Sequence, residues 1–197
     1  MQNPDKNIAI LILAAGSASR MGALKQLLPW RNSTLLGNTI ATANSCSAHV
    51  FVVVGAKGEV IKKEINEEAI FIDNKNWEMG LGTSIARGVQ HLIHSEMHYN
   101  ACLIMLADQP FIDVDYVSNV IKVHNENNKR ITATSYKNRA GVPAIFDSNY
   151  FEELSQLSGD NGAKEILEIH INDVQSIDPK GKTLDIDTKK EYQNILK

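Results

Sequence analysis

The sequence predicts a single-domain α/β fold built around a mostly parallel, mixed sheet. Its 197 residues suit one domain of ordinary size. Several short apolar runs are continuous rather than alternating, which is typical of strands buried on both faces of a parallel sheet. Helical patterns separate these runs. The alternation of strand and helix therefore implies βαβ units with right-handed crossovers.

Strands and helices alternate along the first half of the chain. The apolar runs predict strands at residues 8–13, 50–54, 70–72 and 101–106. Helical patterns predict helices at residues 34–46, 59–68 and 83–94. Ser33 or Thr34 is the expected N-cap of the first helix, and Thr83 or Ser84 is expected to start the third.

The second half of the chain is less regular, which predicts that the sheet is mixed. Strands are predicted at residues 131–136 and 142–146, around a turn at residues 138–141. Two helices follow, at residues 152–157 and 163–170. A last strand at residues 182–188 and a helix at residues 189–196 are predicted to close the domain.

Composition and charge exclude several classes of protein. The formal net charge is −3, and no run of Lys and Arg is long enough to suggest a nucleic-acid groove. No apolar stretch approaches the roughly 18 residues that a membrane span needs. Cys46 and Cys102 lie in unrelated contexts, and the polar start of the chain lacks the pattern of a signal peptide. We therefore expect a cytoplasmic protein without a disulfide framework.

The loop after the first strand has the composition of a phosphate-binding loop. It reads Leu13-Ala-Ala-Gly-Ser-Ala-Ser-Arg-Met-Gly22 and is followed by Lys25. Small residues let backbone N–H groups approach a phosphate chain, and Arg20 and Lys25 supply the cations that a triphosphate requires. Five residues separate Gly16 from Gly22, so the loop is not a Walker A motif. The alternative is an ordinary loop that happens to carry an Arg and a Lys.

Asp108 directly follows the buried strand at residues 101–106. Ligands of open parallel sheets bind beyond the carboxyl ends of the strands, so Asp108 is expected near the loop after Leu13. A carboxylate at this position can hold Mg²⁺, which prefers oxygen ligands and is usually shared with substrate phosphates. The alternative is an Asp that caps a turn before Pro110.

The segment from Leu13 to Leu28 resembles the signature of the MobA-like NTP transferases, and within them it is most similar to the molybdenum cofactor cytidylyltransferase (MocA) type. Further matches follow in order along the chain: Gly55-Ala56, 74–80, 82–84, 106–110, 141–143, 158–163 and 184–188. The resemblance implies a Rossmann-like three-layer sandwich of the nucleotide-diphospho-sugar transferase type. It also implies one domain over residues 1–197, with a nucleotide-binding half at 1–110 and an acceptor-binding half at 111–197.

The resemblance implies Mg²⁺-dependent transfer of CMP from CTP to the molybdenum-bearing molybdopterin, with release of pyrophosphate. The implied catalytic residues are Arg20, Lys25 and Asp108. The second Mg²⁺ ligand is expected within residues 185–187, where alternation in a strand would aim both carboxylates to one face. Asp185 is favoured over Asp187. The implied nucleotide contacts are Leu13, Ala14, Ala15, Gly16, Arg20, Lys25, Asn74, Gly80 and Ser84. The implied acceptor contacts are Gln109, Pro110, Gly141, Pro143 and Asp160.

Several alternatives remain at this stage. Ala15 and Gln109 favour CTP, because GTP-using relatives tend to carry Gly and Met or Thr at these positions. The same enzyme class could instead use GTP, or a sugar or alditol phosphate as the acceptor. A non-catalytic nucleotide-binding partner of a molybdoenzyme, and transient contact with such an enzyme or its chaperone, also stay open. Ser84 could cap a helix instead of contacting the base, and three histidines at helical spacing could bind a metal or lie on an exposed helix end: His91, His94 and His98.

Overall fold

A seven-stranded mixed sheet organises the computed structural model, which describes residues 7–16, 24–137, 139–186 and 188–196. The strands of this sheet are β1 (Ile8–Ala14), β4 (Val50–Val54), β5 (Ile70–Asp73), β6 (Ala101–Leu106), β7 (Ile131–Tyr136), β8 (Arg139–Asp147) and β9 (Val174–Ile177). Their order is β5-β4-β1-β6-β8-β7-β9. Only β8 runs antiparallel to its neighbours within this sheet. Two short strands, β2 (Pro29–Trp30) and β3 (Ser33–Thr34), form a separate hairpin.

Helices cover both faces of the sheet. They are α1 (Leu35–Asn44), α2 (Gly58–Glu64), α3 (Leu81–Ile93), α4 (Val114–Glu126), α5 (Phe151–Ser155), α6 (Lys164–Ile169) and α7 (Lys189–Ile195). Alternate residues of β1 enter two separate cores, with Leu11 facing α3, α5 and α6, and Ile10 facing α1, α2 and α4. The predicted three-layer α/β architecture is therefore confirmed. No helix among the described residues is long and apolar enough to cross a membrane.

The predicted elements of the first half are confirmed, with shifts at some ends. Thr34 caps α1 by accepting a hydrogen bond from Gly37 N at 3.0 Å, as predicted. Helix α2 ends at Glu64, four residues earlier than predicted, because the following residue is already extended. Helix α3 starts at Leu81 rather than at Thr83 or Ser84, since Gly80 is its N-cap residue. The interpretation of Ser84 as a helix cap is therefore wrong.

The second half contains the larger corrections. The strand predicted at residues 182–188 is wrong: residues 182–186 have no regular structure, and Ile186 N donates to the Asp108 carbonyl oxygen at 3.1 Å. The seventh strand is instead β9, which pairs in parallel with β7. Helix α4 was missed, although the Asp113 side chain caps it by accepting from Tyr116 N. Strand β8 begins at Arg139, three residues earlier than predicted, so Gly141 lies within the strand rather than in the turn, whereas Pro143 lies in the strand as predicted.

Candidate active site

The ends of β1 and β6 bring the first predicted site residues together. Leu13 and Leu106 are register neighbours, and Ala107 N donates to the Leu13 carbonyl oxygen at 3.2 Å. Just beyond them, Lys25 Nζ lies 2.8 Å from Asp108 Oδ2, and their side chains are only 18% and 29% exposed. The predicted juxtaposition of the loop after Leu13 with Asp108 is thus present. Arg20 lies outside the described residues.

Gln26 holds the backbone of this loop, a contact that the sequence did not predict. Its side chain is buried, and its Nε2 donates to the carbonyl oxygens of Ala14, at 2.8 Å, and Gly16, at 3.2 Å. The two bonds fix the path of the chain where it leaves β1. Gly16 itself is exposed, and within the described ranges no atom lies within 4 Å of the position that a Cβ would take.

Asp108 and Asp185 are linked through Gln109, and both carry the carboxylate oxygens that a divalent cation would need. Asp108 Oδ1 is buried and has no hydrogen-bond donor among the described residues. Asp185 Oδ1 accepts from Nε2 of Gln109, the next residue after Asp108, at 2.9 Å. Ionised carboxylate oxygens are the hard ligands that Mg²⁺ and Mn²⁺ prefer. Asp187 lies outside the described residues.

No cluster of three or more His, Cys, Asp or Glu side chains that could bind a metal occurs within the described ranges. The histidines of α3 and its C-terminal end do not converge. The His91 ring packs 5.4 Å from the Phe51 ring, between centroids, and His94 Nδ1 lies 2.7 Å from the Gln90 carbonyl oxygen. Burial lowers the pKa of His91, and Arg87 adds to this effect. His94 and His98 are exposed at and beyond the end of α3, whereas His91 is half-buried against Phe51.

Tyr136 joins Gln109 to the β7–β8 hairpin. Its hydroxyl accepts from Gln109 Nε2 at 2.9 Å and donates to the Val142 carbonyl oxygen. Burial raises the pKa of Tyr136 to about 12, and the charge of Asp185 acts in the same direction, so the phenol is a neutral donor at physiological pH. A Cβ on Gly141 would lie 2.9 Å from the ring atom Cε2, so Gly141 allows the ring to approach. Gln109 and Gly141 thus meet around one side chain.

A cleft of about 660 Å³ opens beside Tyr136. Its lining comes from the β7–β8 hairpin and from the segment after β9: Ser135, Tyr136, Lys137, Arg139, Asp178, Pro179 and Thr183. The Arg139 guanidinium carbon lies 5.9 Å from the centroid of the Tyr136 ring. With two cationic side chains and one carboxylate, the cleft favours an anionic ligand. Pro110 and Pro143, which were predicted to contact the acceptor, are buried and do not line this cleft.

Asn74 organises the predicted base-recognition segment. It is buried, and its Nδ2 donates to Thr83 Oγ1 at 3.0 Å and Ser84 Oγ at 3.1 Å. Its Oδ1 accepts from Asn76 N at 2.9 Å. Ser84 is also buried, so its hydroxyl lies inside this network. The structure thus brings Asn74 and Ser84 together and buries both side chains.

The Gly80 turn packs against the loop at residues 158–160. Gly82 N donates to the Gly159 carbonyl oxygen at 2.8 Å, and Gly159 N donates to the Met79 carbonyl oxygen at 3.0 Å. A Cβ on Gly80 would lie 2.6 Å from Asp160 Oδ1. Asp160, predicted on the acceptor side, therefore lies against the segment predicted to bind the nucleotide.

Trp77 connects this segment to the loop after β1. A Cβ on Gly55, at the end of β4, would lie 2.6 Å from Trp77 Cγ and 2.7 Å from the Ala15 carbonyl oxygen. Only glycine leaves room for this approach. The resemblance placed Trp77 in the base-recognition segment, but its contact with Gly55 beside the β1 loop was not predicted, because it depends on a glycine of a distant strand end.

A model of the MobA-like NTP transferase domain matches residues 10–175. The chain belongs to the MobA-like NTP transferase family. It is 28% identical to the purine catabolism protein PucB of Bacillus subtilis, over 94% of each chain. It is also 29% identical to the molybdenum cofactor cytidylyltransferase of Escherichia coli, over 60% of each chain. Among solved structures, Rv0371c of Mycobacterium tuberculosis in complex with manganese is 25% identical, with a TM-score of 0.77 and coverage of 96% of this chain and 98% of that one.

Membership of this family makes the protein a nucleotidyltransferase. The matched region contains the β1 loop, Lys25 and Asp108. The match ends at residue 175, so it does not include Asp185. Its contact with Gln109 is therefore contributed by the three-dimensional structure rather than by the family model.

Proposed function

We propose that this nucleotidyltransferase transfers CMP from CTP to the molybdenum-bearing molybdopterin, forming molybdopterin cytosine dinucleotide and pyrophosphate. The observation that carries the proposal is the Lys25–Asp108 ion pair of 2.8 Å beside the β1 loop, with Asp185 bonded to the next residue, Gln109. Cations, a backbone loop and a pair of carboxylates are the groups that phosphoryl chemistry requires. The similarity to a molybdenum cofactor cytidylyltransferase supports the choice of substrates.

The β1 loop is the proposed site of the triphosphate. Backbone of residues 13–16 would contact the nucleotide, with Arg20 and Lys25 as the cations. Gln26 supports this role, because its two hydrogen bonds hold the carbonyl groups of Ala14 and Gly16 and so fix the direction of the peptide groups between them. Asn74, Gly80 and Ser84 would form the base side, with main-chain groups near Gly80 making the contacts.

Asp108 and Asp185 are the proposed ligands of a divalent cation. A cation bound there supplies charge neutralisation at the α-phosphate and the leaving pyrophosphate. The buried, unpaired Oδ1 of Asp108 supports the assignment, since such an atom is costly unless a ligand completes its contacts. The assignment also draws support from the similar protein Rv0371c, whose structure was solved in complex with manganese.

The reaction needs no protein nucleophile. A phosphate oxygen of the acceptor is already anionic at neutral pH, and it forms a bond to the α-phosphorus of CTP. The bond from the α-phosphorus to the bridging oxygen breaks, and pyrophosphate leaves with its electron pair. Lys25 and Arg20 would stabilise the negative charge on the phosphate oxygens, and the fixed site holds the two reactants in line.

The cleft beside Tyr136 is the proposed site for the body of the acceptor. Its volume of about 660 Å³ lies within the usual range for small-molecule sites. It borders the Gln109 and Gly141 positions that were predicted to contact the acceptor. Lys137 and Arg139 give it the charge that an anionic acceptor requires.

The test is pyrophosphate release with Mg²⁺ and molybdenum-loaded molybdopterin, with CTP and GTP in parallel. We expect release with CTP only. Asp108→Ala should abolish it, whereas Asp115→Ala, which removes an exposed carboxylate from the start of α4, should leave it unchanged. Near-normal turnover of the Asp108→Ala enzyme would refute the assignment of the cation site.

Other outcomes separate the alternatives. Release with GTP alone would reverse the choice of base. No release, despite metal-dependent CTP binding, would move the search to other phosphorylated acceptors, such as sugar or alditol phosphates. A different acceptor has one observation in its favour: PucB, named for purine catabolism, matches 94% of the chain, against 60% for the cytidylyltransferase. Stoichiometric CTP binding without turnover on any acceptor would indicate a non-catalytic binding partner.

A further inference from the structure

A continuous hydrogen-bond chain runs from a strand of the sheet to Asp185. The Val142 carbonyl oxygen accepts from the Tyr136 hydroxyl, and that hydroxyl accepts from Gln109 Nε2 at 2.9 Å. The same Nε2 donates to Asp185 Oδ1, also at 2.9 Å. A carbonyl and an ionised carboxylate can only accept, so the amide of Gln109 must present its NH₂ group to both neighbours. The orientation of the buried Gln109 side chain is therefore fixed.

The hydrogen-bond chain starts at the Val142 carbonyl, which an irregularity in the β7–β8 pairing makes available. Ala133 pairs with Ala144, but the next residue, Thr134, pairs with Gly141, so Val142 and Pro143 have no partner across β7. Such a bulge frees main-chain groups from the ladder. The freed Val142 carbonyl accepts from Tyr136. The rigid strand pair thus reaches Asp185 through two buried or half-buried side chains.

Ile186 anchors the backbone beside Asp185, but packing does not set the direction of the exposed Asp185 side chain, and the hydrogen bond from Gln109 helps to orient it. Residues 182–186 lie outside any helix or strand, and Asp185 is exposed. Asp108, in contrast, follows β6 directly and pairs with Lys25. A carboxylate on an irregular segment would have to be ordered when a cation binds, and this ordering would weaken binding.

We propose that Gln109 and Tyr136 are positioning residues that hold Asp185 ready to bind the divalent cation. The inference rests on the proposed function, in which Asp185 is a ligand of that cation. It changes the role of Gln109, which the sequence had suggested as an acceptor contact. Both N–H groups of Gln109 are engaged, one by the phenol and one by the carboxylate. Partners that orient a metal ligand typically contribute about 10- to 100-fold in metal affinity.

The experiment measures Mn²⁺ binding to the full chain directly, by the loss of the electron paramagnetic resonance signal of free Mn²⁺, with and without CTP. Tyr136→Phe removes a single oxygen atom and should weaken Mn²⁺ binding about 10-fold. Gln109→Leu should weaken it further, up to about 100-fold. Tyr136 also lines the cleft proposed for the acceptor, so Mn²⁺ affinity measured without acceptor is the readout that reports on the cation site in both variants.

Tyr116→Phe is the matched control. The Tyr116 hydroxyl is buried and lies 2.9 Å from Thr134 Oγ1, on the same strand as Tyr136, but it has no hydrogen bond to Gln109. This variant should lose some thermal stability and keep wild-type Mn²⁺ affinity. Equal effects of Tyr116→Phe and Tyr136→Phe on Mn²⁺ affinity would mean that the loss is a general packing effect, which overturns the proposal.

Asp185→Ala separates failure of this inference from failure of the proposed function. If wild-type Mn²⁺ binding does not depend on Asp185, both the cation site and the positioning role are wrong. If binding depends on Asp185 but survives Tyr136→Phe and Gln109→Leu unchanged, the cation site stands and the positioning role is overturned. A raised KM for the acceptor in Gln109→Leu, with unchanged Mn²⁺ affinity, would restore Gln109 to the acceptor side.

Discussion

Replacing Gly80 with alanine would test the junction between the proposed nucleotide segment and the loop at residues 158–160. Gly80 has φ of 100° and ψ of 174°, a conformation that is essentially restricted to glycine. A Cβ there would lie 2.6 Å from Asp160 Oδ1 and closer still to the Gly159 carbonyl group. The Asp160 side chain could rotate away, but the backbone of Gly159 could not move without breaking its hydrogen bonds to Met79 and Gly82.

Two costs add in this variant. Holding a non-glycine residue in this backbone conformation costs roughly 1–3 kcal/mol. Forcing a packed neighbour to shift costs roughly 1–3 kcal/mol more. We therefore expect a loss of about 4 kcal/mol from an unfolding free energy of about 5–15 kcal/mol. For a chain of this size, the melting temperature should fall by about 10 °C.

Gly159→Ala is the control that isolates the steric contribution. Gly159 has φ of 71°, but no atom of the described residues lies within 4 Å of its Cβ position. It should therefore lose only the cost of the left-handed conformation, about 1–2 kcal/mol. Urea and thermal unfolding of both variants give the comparison. Equal destabilisation of the two would refute the claim that close packing, rather than backbone conformation alone, holds the Gly80 turn in place.

Three further predictions concern specificity and stability. Arg139→Gln should raise the KM for the acceptor about 10-fold and leave the KM for CTP unchanged, whereas Lys122→Gln, at an exposed position of α4, should change neither. Ala15→Gly should shift preference from CTP toward GTP in competition assays, and an unchanged ratio would remove Ala15 as the selector. Tyr150→Phe should lower stability by about 1 kcal/mol at neutral pH, because its hydroxyl donates to Asp173 Oδ2 at 2.6 Å. That hydrogen bond lowers the pKa of Asp173 from its ordinary 3.8, so this stabilisation is present above pH 3.8, and the difference between wild type and Tyr150→Phe in urea unfolding should shrink below it.

Strands β1, β4 and β6 were predictable because each is buried on both faces. Strand β6 has the predicted bounds, Ala101–Leu106, and β1 extends the predicted run by one residue. A short, continuous apolar run next to a helical pattern is typical of a strand in a parallel sheet, where helices cover both faces. The same reasoning predicted that Asp108 and Lys25 would meet, because the carboxyl ends of neighbouring parallel strands share one edge.

The segment at residues 182–188 failed for the opposite reason. Its apolar residues, Leu184 and Ile186, alternate with aspartates as in a half-buried strand, but Leu184 is exposed and only Ile186 is buried. Ile186 is fully buried in a small cluster with Trp30 and Leu35, beyond the edge of the main sheet. The local sequence does not distinguish an irregular segment with one buried side chain from a short strand. The missed helix α4, in contrast, had a local signal in the capping Asp113.

The contacts of Gln109 could not be predicted from the sequence, because they depend on a bulge in the β7–β8 pair. The pairing register decides which main-chain carbonyl is free, and a single sequence does not specify that register. Gln26 and Trp77 are similar cases, since each acts through main-chain groups or a glycine on a distant element. Residue types at the site were thus predictable, whereas the partners that orient them were not.

The two proposed cation ligands differ in how they are held, and this difference follows from topology. Asp108 continues a central strand, so the core that stabilises the fold also positions its carboxylate. Asp185 sits more than seventy residues later on an irregular segment, held by Gln109 and by the bond from Ile186 N to the Asp108 carbonyl oxygen. Ile186 packs against Trp30 and Leu35. We therefore expect the packing of this segment to bring the Asp185 carboxylate into place for the proposed cation site. A substitution that loosens the segment should therefore weaken cation binding before it weakens the sheet.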